Sequence, residues 1–262
     1  MDIKSKCVYI ILKGGIGNQL FQYAAALAIA KHNKCSVILS PIQENKHSGR
    51  DYRSTLYRRL PSSDSLHTDH TFTIDSFEPW TSSQFDIQAP IAINGYFQYL
   101  PAIVSTIPIL CQDLIEFVQQ RREHMRTKYA LTELRTRGFI HVRRGDYLNT
   151  PPDFHWTQGE EYYVPAMKLV PGVKGWLVLS DDVAWCKNQA MFSGATIVDE
   201  PDELDGLALM SLCHGGAIIA NSTYSWWGAM LGASPAKATV VYPSKWCEDT
   251  KPDLFLPQWK RI

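Results

Sequence analysis

The chain has 262 residues, of which 45% are hydrophobic, and its 26 basic and 26 acidic side chains give a formal net charge of zero. This length predicts one large or two small domains with a substantial buried core. A neutral chain has no overall positive field, which argues against a general nucleic-acid binder or a protein that docks on anionic membranes. A polyanionic ligand must therefore be bound at a local site.

Six cysteines are scattered along the chain without a CxxC pair, and several lie in apolar runs such as "KCVYIIL". We interpret them as reduced core residues of an intracellular protein rather than as disulfide partners. The apolar stretch near the N-terminus is too short to span a membrane and lacks the cleavage site of a signal peptide. We therefore expect a soluble, cytoplasmic protein without a membrane span.

In the first half, short apolar runs alternate with one helical pattern. "CVYIIL" (7–12) predicts a strand that leads through "KGGIGNQ" into a helix over 18–32, where apolar residues recur every three or four positions. "SVILS" (36–40) and "IAINGYF" (91–97) predict two further strands. Residues 41–90 are polar and lack a strong period, which predicts loops, short helices and a substrate-facing lobe.

A long, charged, helix-prone stretch covers 114–138 and predicts a solvated helix. A new strand–helix series starts after Gly138, so we place the domain boundary here. The predicted domains are 1–135, on the acceptor side, and 136–262.

The second half alternates strands and helices regularly, which predicts a parallel sheet in an α/β fold. The predicted strands are "FIHV" (139–142), "WLVLS" (176–180), "ATIV" (195–198), "GAIIA" (216–220) and "TVVYP" (239–243), and the helices begin near Glu160 or cover 182–191, 202–213 and 222–232. Polar clusters directly follow the first four of these strands. Ligands gather at the carboxyl ends of parallel strands, so the sequence predicts a site at this edge.

The first of these clusters is "HVRRGDY". His141 and Arg143 share one face of the strand, while Arg144 points the other way. The planar guanidinium fork matches phosphate geometry, so both arginines are candidate phosphate ligands. Alternatively, Arg144, or Arg143 itself, pairs with Asp146 or another acid and only fixes the loop. Asp146 is interpreted as an orienting partner, and the embedded "RGD" as a chance match to an adhesion motif.

Two further clusters are "SDD" (180–182), which follows the second strand, and "NSTYSWWG" (221–228), which follows the fourth. A carboxylate such as Asp181 can accept two N–H groups of guanine, although Asp181 or Asp182 could instead cap the following helix. A helix start such as that after Asn221 is a natural seat for a diphosphate. The hydroxyl groups that can add donors there are Ser222, Thr223 and Ser225. Trp226 and Trp227 are interpreted as packing anchors.

Two remaining patterns are weaker. The glycine loop "GGIGNQ" (14–19) can hold phosphate or sugar, but Leu20 occupies the third glycine position of the dinucleotide fingerprint, and the Lys-Ser/Thr of a P-loop is absent. The acids of "DEPDELD" (199–205) could suggest a metal site, but we interpret them as acids at a helix start.

Together, "GGIGNQLFQYAAA", "HVRRGDY", "LSDD" with Trp185, and "NSTYSWWGAMLG" resemble glycosyltransferase family 11, the α-1,2-fucosyltransferases, over about residues 8 to 245. The arginine motif is shared more loosely by α-1,6- and protein O-fucosyltransferases. The resemblance implies a GT-B arrangement of two facing Rossmann-like domains with parallel sheets. It also implies an inverting enzyme without metal or cofactor, which takes GDP-β-L-fucose as donor and a galactose-ended glycan as acceptor.

By the same resemblance Arg143 grips the β-phosphate, His141 helps to seat the diphosphate and Asp181 reads guanine. Ser222, Thr223 and Ser225 would cap the phosphates, Gly15, Asn18 and Gln19 would face the donor sugar, and Arg144, Asp182 and Asn221 complete the predicted donor-binding set. The departing nucleotide gains negative charge, which fixed guanidinium groups and helix-end dipoles can neutralise.

The catalytic base is less determined by the motifs. His155 lies downstream of the arginine loop and is one candidate base, with a plain loop histidine as the alternative interpretation. Asp146 and Glu160 are further candidates. Three alternatives to the main interpretation stay open or are disfavoured. The donor could be the same with a protein hydroxyl or another sugar position as acceptor, or the chain could be a non-catalytic nucleotide-sugar-binding module. A dinucleotide-dependent oxidoreductase is disfavoured by the missing third glycine.

Overall fold

The structure, a computed structural model, describes residues 6–41, 52–75, 77–151, 155–232, 238–247 and 253–262. The chain divides into two compact units. The first comprises Met1–Leu114 with Pro252–Phe255, and the second comprises Ile115–Lys251 with Leu256–Ile262.

The first unit is built on a four-stranded parallel sheet in the order β2-β1-β4-β3. Its elements are β1 (Cys7–Ile10), α1 (Ile16–Asn33), β2 (Ser36–Leu39), β3 (Thr71–Ile74), β4 (Ile91–Gly95), α2 (Leu100–Ile103) and α3 (Ile107–Phe117), the last of which crosses the boundary. The strand β3 was not predicted. Residues 42–51 and 76 of the predicted 41–90 lobe lie outside the described residues.

The second unit carries a six-stranded sheet whose strand pairs are all parallel. Its elements are α4 (Gln119–Lys128), β5 (Arg137–Val142), α5 (Glu160–Leu169), β6 (Gly175–Ser180), α6 (Val183–Lys187), β7 (Thr196–Ile197), α7 (Glu203–Met210), β8 (Gly216–Ile218), α8 (Thr223–Gly232), β9 (Thr239–Tyr242) and β10 (Lys260–Arg261).

The strand order of the second sheet is β10-β9-β8-β5-β6-β7. The chain builds the sheet outward from β5 in one direction and then from β8 in the other, which is the strand order of the Rossmann fold. The order therefore reverses between β5 and β8, and a crevice at their carboxyl ends is where such sheets bind ligands. The predicted α/β class with parallel sheets is confirmed.

The boundary between the units lies about twenty residues before the predicted one at 135/136. The reason is that α4 packs on α7. Arg121 donates a hydrogen bond to Asp205 at 2.5 Å, and Lys128 pairs with Glu200, also at 2.5 Å. The charged stretch that predicted a solvated helix therefore meets opposite charges within the second unit.

Two tyrosines of α5 hold the strand ends that border the crevice. The Tyr163 hydroxyl donates to the carbonyl oxygen of His141 at 3.1 Å, and the Tyr162 hydroxyl donates to that of Ile219 at 2.6 Å. Trp226 and Trp227 of α8 are fully buried, so their predicted role as packing anchors is confirmed. These contacts stiffen the backbone from which the polar loops extend.

The six cysteines all lie in described residues and are free thiols, as predicted. Three of them are buried, namely Cys7, Cys186 and Cys213. None of the helices in the described ranges combines the length and apolarity needed to cross a bilayer.

Candidate active site

Arg143 follows β5 directly and is held between two carboxylates. Its Nη1 lies 2.9 Å from Asp181 Oδ2, and its Nη2 lies 2.8 Å from Asp146 Oδ1. The β5 and β6 strands are neighbours, which is why the side chains that follow them can meet. One third of the Arg143 side chain is exposed, so the guanidinium is fixed in direction and still accessible to a ligand.

Arg144 is paired as well, but on the other side of the loop. Its Nε lies 3.1 Å from Asp182 Oδ2, and its guanidinium carbon lies 4.1 Å from the centre of the Trp185 ring. Asp182 Oδ1 also accepts the backbone N–H of Trp185 at 3.0 Å and caps α6. The alternative in which Arg144 meets an acid and fixes the loop is therefore what the structure contains.

Both oxygens of Asp181 are engaged by the arginine loop. Oδ2 accepts from Arg143, and Oδ1 accepts the backbone N–H of Arg144 at 2.8 Å. A Cβ atom on Gly145 would lie 2.7 Å from Asp181 Oδ2, so only glycine lets the loop approach this carboxylate closely. Asp181 thus orients the loop, and its reading of guanine stays a prediction.

His141 is buried within β5, with 4% of its surface exposed. Burial is the main cause that lowers its pKa to about 4, Asp181 opposes this shift, and Arg143 adds to it. The imidazole is therefore neutral near pH 7 and carries one N–H. Its Nδ1 has no hydrogen-bond partner among the described residues. A neutral ring of this kind can donate to an anion without changing the charge of the site.

Tyr147 connects several predicted site residues, although sequence reasoning missed it. Its hydroxyl donates to the carbonyl oxygen of Asn221 at 2.8 Å. Its ring stacks on His155, with centroids 4.1 Å apart and planes 2° apart, and the guanidinium carbon of Arg143 lies 5.3 Å from the ring centre. Its place directly after Asp146 in the charged motif was the signal that could have identified it.

His155 has a pKa below its ordinary value. Desolvation by burial is the largest cause, Arg143 contributes to the lowering, and Asp146 opposes it. Asp146 itself has 65% of its side chain exposed and pairs with Arg143, which fits the orienting role predicted for it. Glu160, the third candidate base, is exposed at the first position of α5.

The start of α8 completes the crevice. Asn221 is buried and donates from Nδ2 to the Trp246 carbonyl at 2.9 Å, while its Oδ1 has no partner in the described part of the chain. The Ser222 carbonyl accepts the N–H of Trp226 at 3.1 Å, which starts the helix. Ser225 is fully buried and its hydroxyl donates to the Ser222 carbonyl at 3.1 Å. Ser222 and Thr223 are therefore better placed than Ser225 to offer hydroxyl groups.

The predicted glycine-loop residues lie together in the first unit, where β1 leads into α1. Gly14 adopts a positive φ of 74°, and Gly15 precedes the helix at a position where an added Cβ would meet no atom within 4 Å. Gln19 is buried and donates to the Gly14 carbonyl at 3.0 Å. Asn18 Oδ1 accepts from Gln98 at 2.9 Å. Gln19 thus shapes the loop, and Asn18 lies in the first turn of α1.

Three of the five acids in residues 199–205 lie at the start of a helix, as predicted, whereas Asp199 and Glu200 pair with lysines of other elements. Asp202 accepts the N–H of Leu204 at 2.8 Å and caps α7, whose first turn contains Glu203 and Asp205. Within the residues that the structure describes, no three His, Cys, Asp or Glu side chains are grouped as a metal site.

A Rossmann sheet that carries guanidinium groups and a helix start at its strand-order reversal is the arrangement of a nucleotide-binding enzyme domain. The family model "Glycosyl transferase family 11" matches residues 2–262. The chain therefore belongs to glycosyltransferase family 11, and it is a glycosyltransferase.

Several relatives match nearly the whole chain. The O-antigen biosynthesis glycosyltransferase WbnK of Escherichia coli is 29% identical, covering 96% of this chain and 99% of its own length. The alpha-1,2-colitosyltransferase of Escherichia coli is 27% identical, covering 96% and 97%. The galactoside alpha-(1,2)-fucosyltransferase 1 of Alouatta belzebul is 27% identical, covering 95% and 73%.

Among solved structures, the fucosyltransferase NodZ from Bradyrhizobium superposes with a TM-score of 0.56 at 10% identity, covering 87% of this chain and 94% of that chain. This likeness concerns the fold alone. Together with the parallel sheets of the two α/β units, it confirms the GT-B-like fold class predicted from the sequence.

Proposed function

We propose that this enzyme transfers L-fucose from GDP-β-L-fucose to the 2-hydroxyl of a terminal galactose, forming an α-1,2 linkage with inversion. The observation that carries the proposal is the Arg143 guanidinium, held by two carboxylates at the end of β5, in a chain of glycosyltransferase family 11. Support for the linkage comes from relatives named as α-1,2-colitosyl- and α-(1,2)-fucosyltransferases.

The charge that develops during transfer explains the need for Arg143. The bond between the sugar C1 and the β-phosphate oxygen breaks, and its electron pair stays on that oxygen as the sugar becomes cation-like. A fixed guanidinium, the N–H of neutral His141 and the N–H groups at the start of α8 stabilise the departing diphosphate. In this proposal the β-phosphate takes the position that the exposed Asp146 carboxylate occupies on Arg143.

The acceptor hydroxyl attacks C1 from the face opposite the diphosphate, and its proton must pass to a base. We assign this role to His155, because its lowered pKa keeps the imidazole neutral and able to accept a proton. Asp146 and Glu160 are the alternatives; before the donor binds, Asp146 pairs with Arg143 and orients it.

We further propose that the reaction needs no metal ion, because the protein itself offers fixed cations where the diphosphate would lie. EDTA is then expected to leave the transfer rate unchanged. A strict requirement for Mg²⁺ or Mn²⁺ would contradict this part of the mechanism.

The decisive experiment incubates the purified protein with labelled GDP-fucose and a panel of galactose-ended acceptors, followed by linkage analysis of the product. Arg143→Ala is expected to lower kcat by about 10²- to 10³-fold, the usual loss when one charge-stabilising donor is removed. Arg135→Ala is the matched control, since Arg135 is exposed just before β5, at the opposite end of that strand. Full activity of Arg143→Ala, with a normal fold by circular dichroism, would contradict the mechanism.

The identity of the donor sugar needs a test of its own, because one relative is named as a colitosyltransferase. Colitose is L-fucose without the 3-hydroxyl group, so both donors present the same diphosphate and the same methyl group. GDP-colitose should therefore be tested in parallel. A kcat/KM that is higher for GDP-colitose than for GDP-fucose would reassign the donor and leave the role of Arg143 intact.

A further inference from the structure

Tyr147 occupies a place that the motifs did not assign. Its hydroxyl reaches across the strand-order reversal, from the loop after β5 to the Asn221 carbonyl in the turn after β8, at 2.8 Å. Its side chain is partly buried, and burial raises the pKa of its hydroxyl above the ordinary value. The phenol therefore stays protonated at working pH and acts as a fixed donor.

The ring of Tyr147 contacts two groups that the proposed mechanism uses. The His155 imidazole stacks on it in parallel, with centroids 4.1 Å apart, and the Arg143 guanidinium carbon lies 5.3 Å from its centre. A cation within about 6 Å of an aromatic ring is attracted to it. The one side chain thus contacts both the group proposed to stabilise the leaving diphosphate and the group proposed to take the proton.

The stack on Tyr147 contributes to the orientation of His155, which lies in neither a helix nor a strand. Residues 155–159 have no regular secondary structure, and α5 begins only at Glu160. A planar stack restricts the tilt of the imidazole while leaving rotation within the ring plane. Positions of reacting groups matter steeply, because a displacement of about 1 Å can lower a rate by 10²-fold.

We propose that Tyr147 is a positioning residue that sets the plane of the His155 imidazole relative to Arg143, with its hydroxyl anchored on the Asn221 carbonyl. The inference rests on the proposed function, since it gives His155 the role of base. Tyr147 does not take part in proton transfer, because its hydroxyl hydrogen is committed to a backbone carbonyl.

The test compares Tyr147→Leu, which removes the stack, with Tyr147→Phe, which keeps the ring and removes only the hydroxyl. Tyr147→Leu is expected to lower kcat by about 10- to 100-fold, while the affinity for GDP changes less than threefold. Tyr147→Phe is expected to keep kcat within about fivefold of the wild type. Tyr129→Phe is the matched control, because its hydroxyl makes a bond of the same 2.8 Å length to Glu200, outside the crevice.

The pH profile separates positioning from general destabilisation. The described groups that act on His155 include the Tyr147 ring, Arg143 and Asp146. Loss of the ring hydrates the imidazole, so its pKa rises and the acid limb of kcat/KM moves to higher pH in Tyr147→Leu. Tyr147→Phe is expected to keep the acid limb of kcat/KM at its wild-type pH. If Tyr147→Leu does not fold, the pH profile of Tyr147→Phe is the measurement that tests the inference.

A double-mutant cycle supplies the last readout. In a His155→Ala background, Tyr147→Leu is expected to cause no further loss, because the group through which it acts is gone. Any one of three results would overturn the inference alone. The first is additive losses of activity in the double-mutant cycle. The others are an unshifted acid limb of kcat/KM in Tyr147→Leu and a shifted acid limb in Tyr147→Phe. Absence of transfer by the wild-type enzyme would instead overturn the proposed function, and this inference with it.

Discussion

Asp181 offers the sharpest test of how the nucleotide is held. Asp181→Asn keeps the size of the side chain, but an amide has only one oxygen. If that oxygen keeps the bond to the backbone N–H of Arg144, its NH₂ group faces the Arg143 guanidinium, where donor meets donor. Arg143 then loses one of its two carboxylate partners and the direction that this partner imposes.

The expected size of the effect follows from exposure. A hydrogen bond to a charged group contributes about 1.5–3 kcal/mol when well buried, and an exposed ion pair contributes about 0–1 kcal/mol. The side chains of Arg143 and Asp181 are 33% and 26% exposed, so the pair lies between these limits. We expect a loss of about 1–2 kcal/mol in GDP binding, which corresponds to a Kd about 5- to 30-fold higher.

Two roles of Asp181, orienting the loop and recognising the guanine base, can be distinguished by calorimetry with GDP and with inosine diphosphate. Inosine diphosphate lacks the 2-amino group of guanine. Asp181→Asn is expected to weaken both ligands by the same factor, because the change acts on the diphosphate through Arg143. Asp199→Asn is the matched control, since Asp199 forms an exposed surface pair with Lys187. A variant that binds inosine diphosphate normally and loses only its preference for GDP would refute the orienting role and assign guanine reading to Asp181.

Three further predictions follow from packing and burial. Gly145→Ala is expected to lower kcat/KM about tenfold, measured by initial rates, because the new Cβ lies 2.7 Å from Asp181 Oδ2 and displaces it; unchanged rates would contradict this. The folded pKa of His141 is about 4, so below about pH 6.5 this histidine protonates more readily in the unfolded chain. The free energy of unfolding should therefore fall by up to about 1.4 kcal/mol per pH unit. In His141→Gln, the decrease of the unfolding free energy with falling pH should be smaller. Trp226→Ala should cost about 3–5 kcal/mol in urea unfolding, whereas Val104→Ala, with 48% exposure, should cost under about 0.5 kcal/mol.

The second sheet was predictable because most of its strands are apolar runs bounded by glycine or polar clusters. Two strands that were not predicted, β10 of the second sheet and β3 of the first, show what this signal requires. β10 consists of Lys260 and Arg261 and contains no apolar residue at all. β3 reads Thr-Phe-Thr-Ile and is mostly exposed, so it lacks the buried alternation that marks a strand. Both strands form by pairing with a neighbouring strand, β10 with β9 and β3 with β4, and their own residues give no strand pattern.

The charged stretch 114–138 was predicted as one helix, whereas the structure ends α3 at Phe117 and starts α4 at Gln119. Val118 between them is fully buried, and α4 buries only Met125 of its own residues. Charged residues recur along the whole stretch, so the sequence pattern does not reveal where the more apolar α3 ends and the polar α4 begins. The long charged pattern also conceals its pairing with α7, which sets the domain boundary.

The residues of the candidate site other than Tyr147 were named from motifs, but the pairs that they form were not predicted. Arg144 and Asp181 are 37 residues apart, and Tyr147 and Asn221 are 74 residues apart. Such pairs depend on which strands are adjacent, and adjacency is a property of the folded sheet. Tyr147 was overlooked because an aromatic residue after a charged motif has many possible packing roles in the sequence alone.

The arginine loop brings together two cationic and three anionic side chains, namely Arg143, Arg144, Asp146, Asp181 and Asp182. The net charge of this group is therefore slightly negative, so the group does not attract anions in general. Inorganic phosphate should compete poorly, because it must evict a carboxylate and gains few contacts in return. Nucleotide capture becomes an exchange of one anion for another, so raising the ionic strength should weaken it only gently.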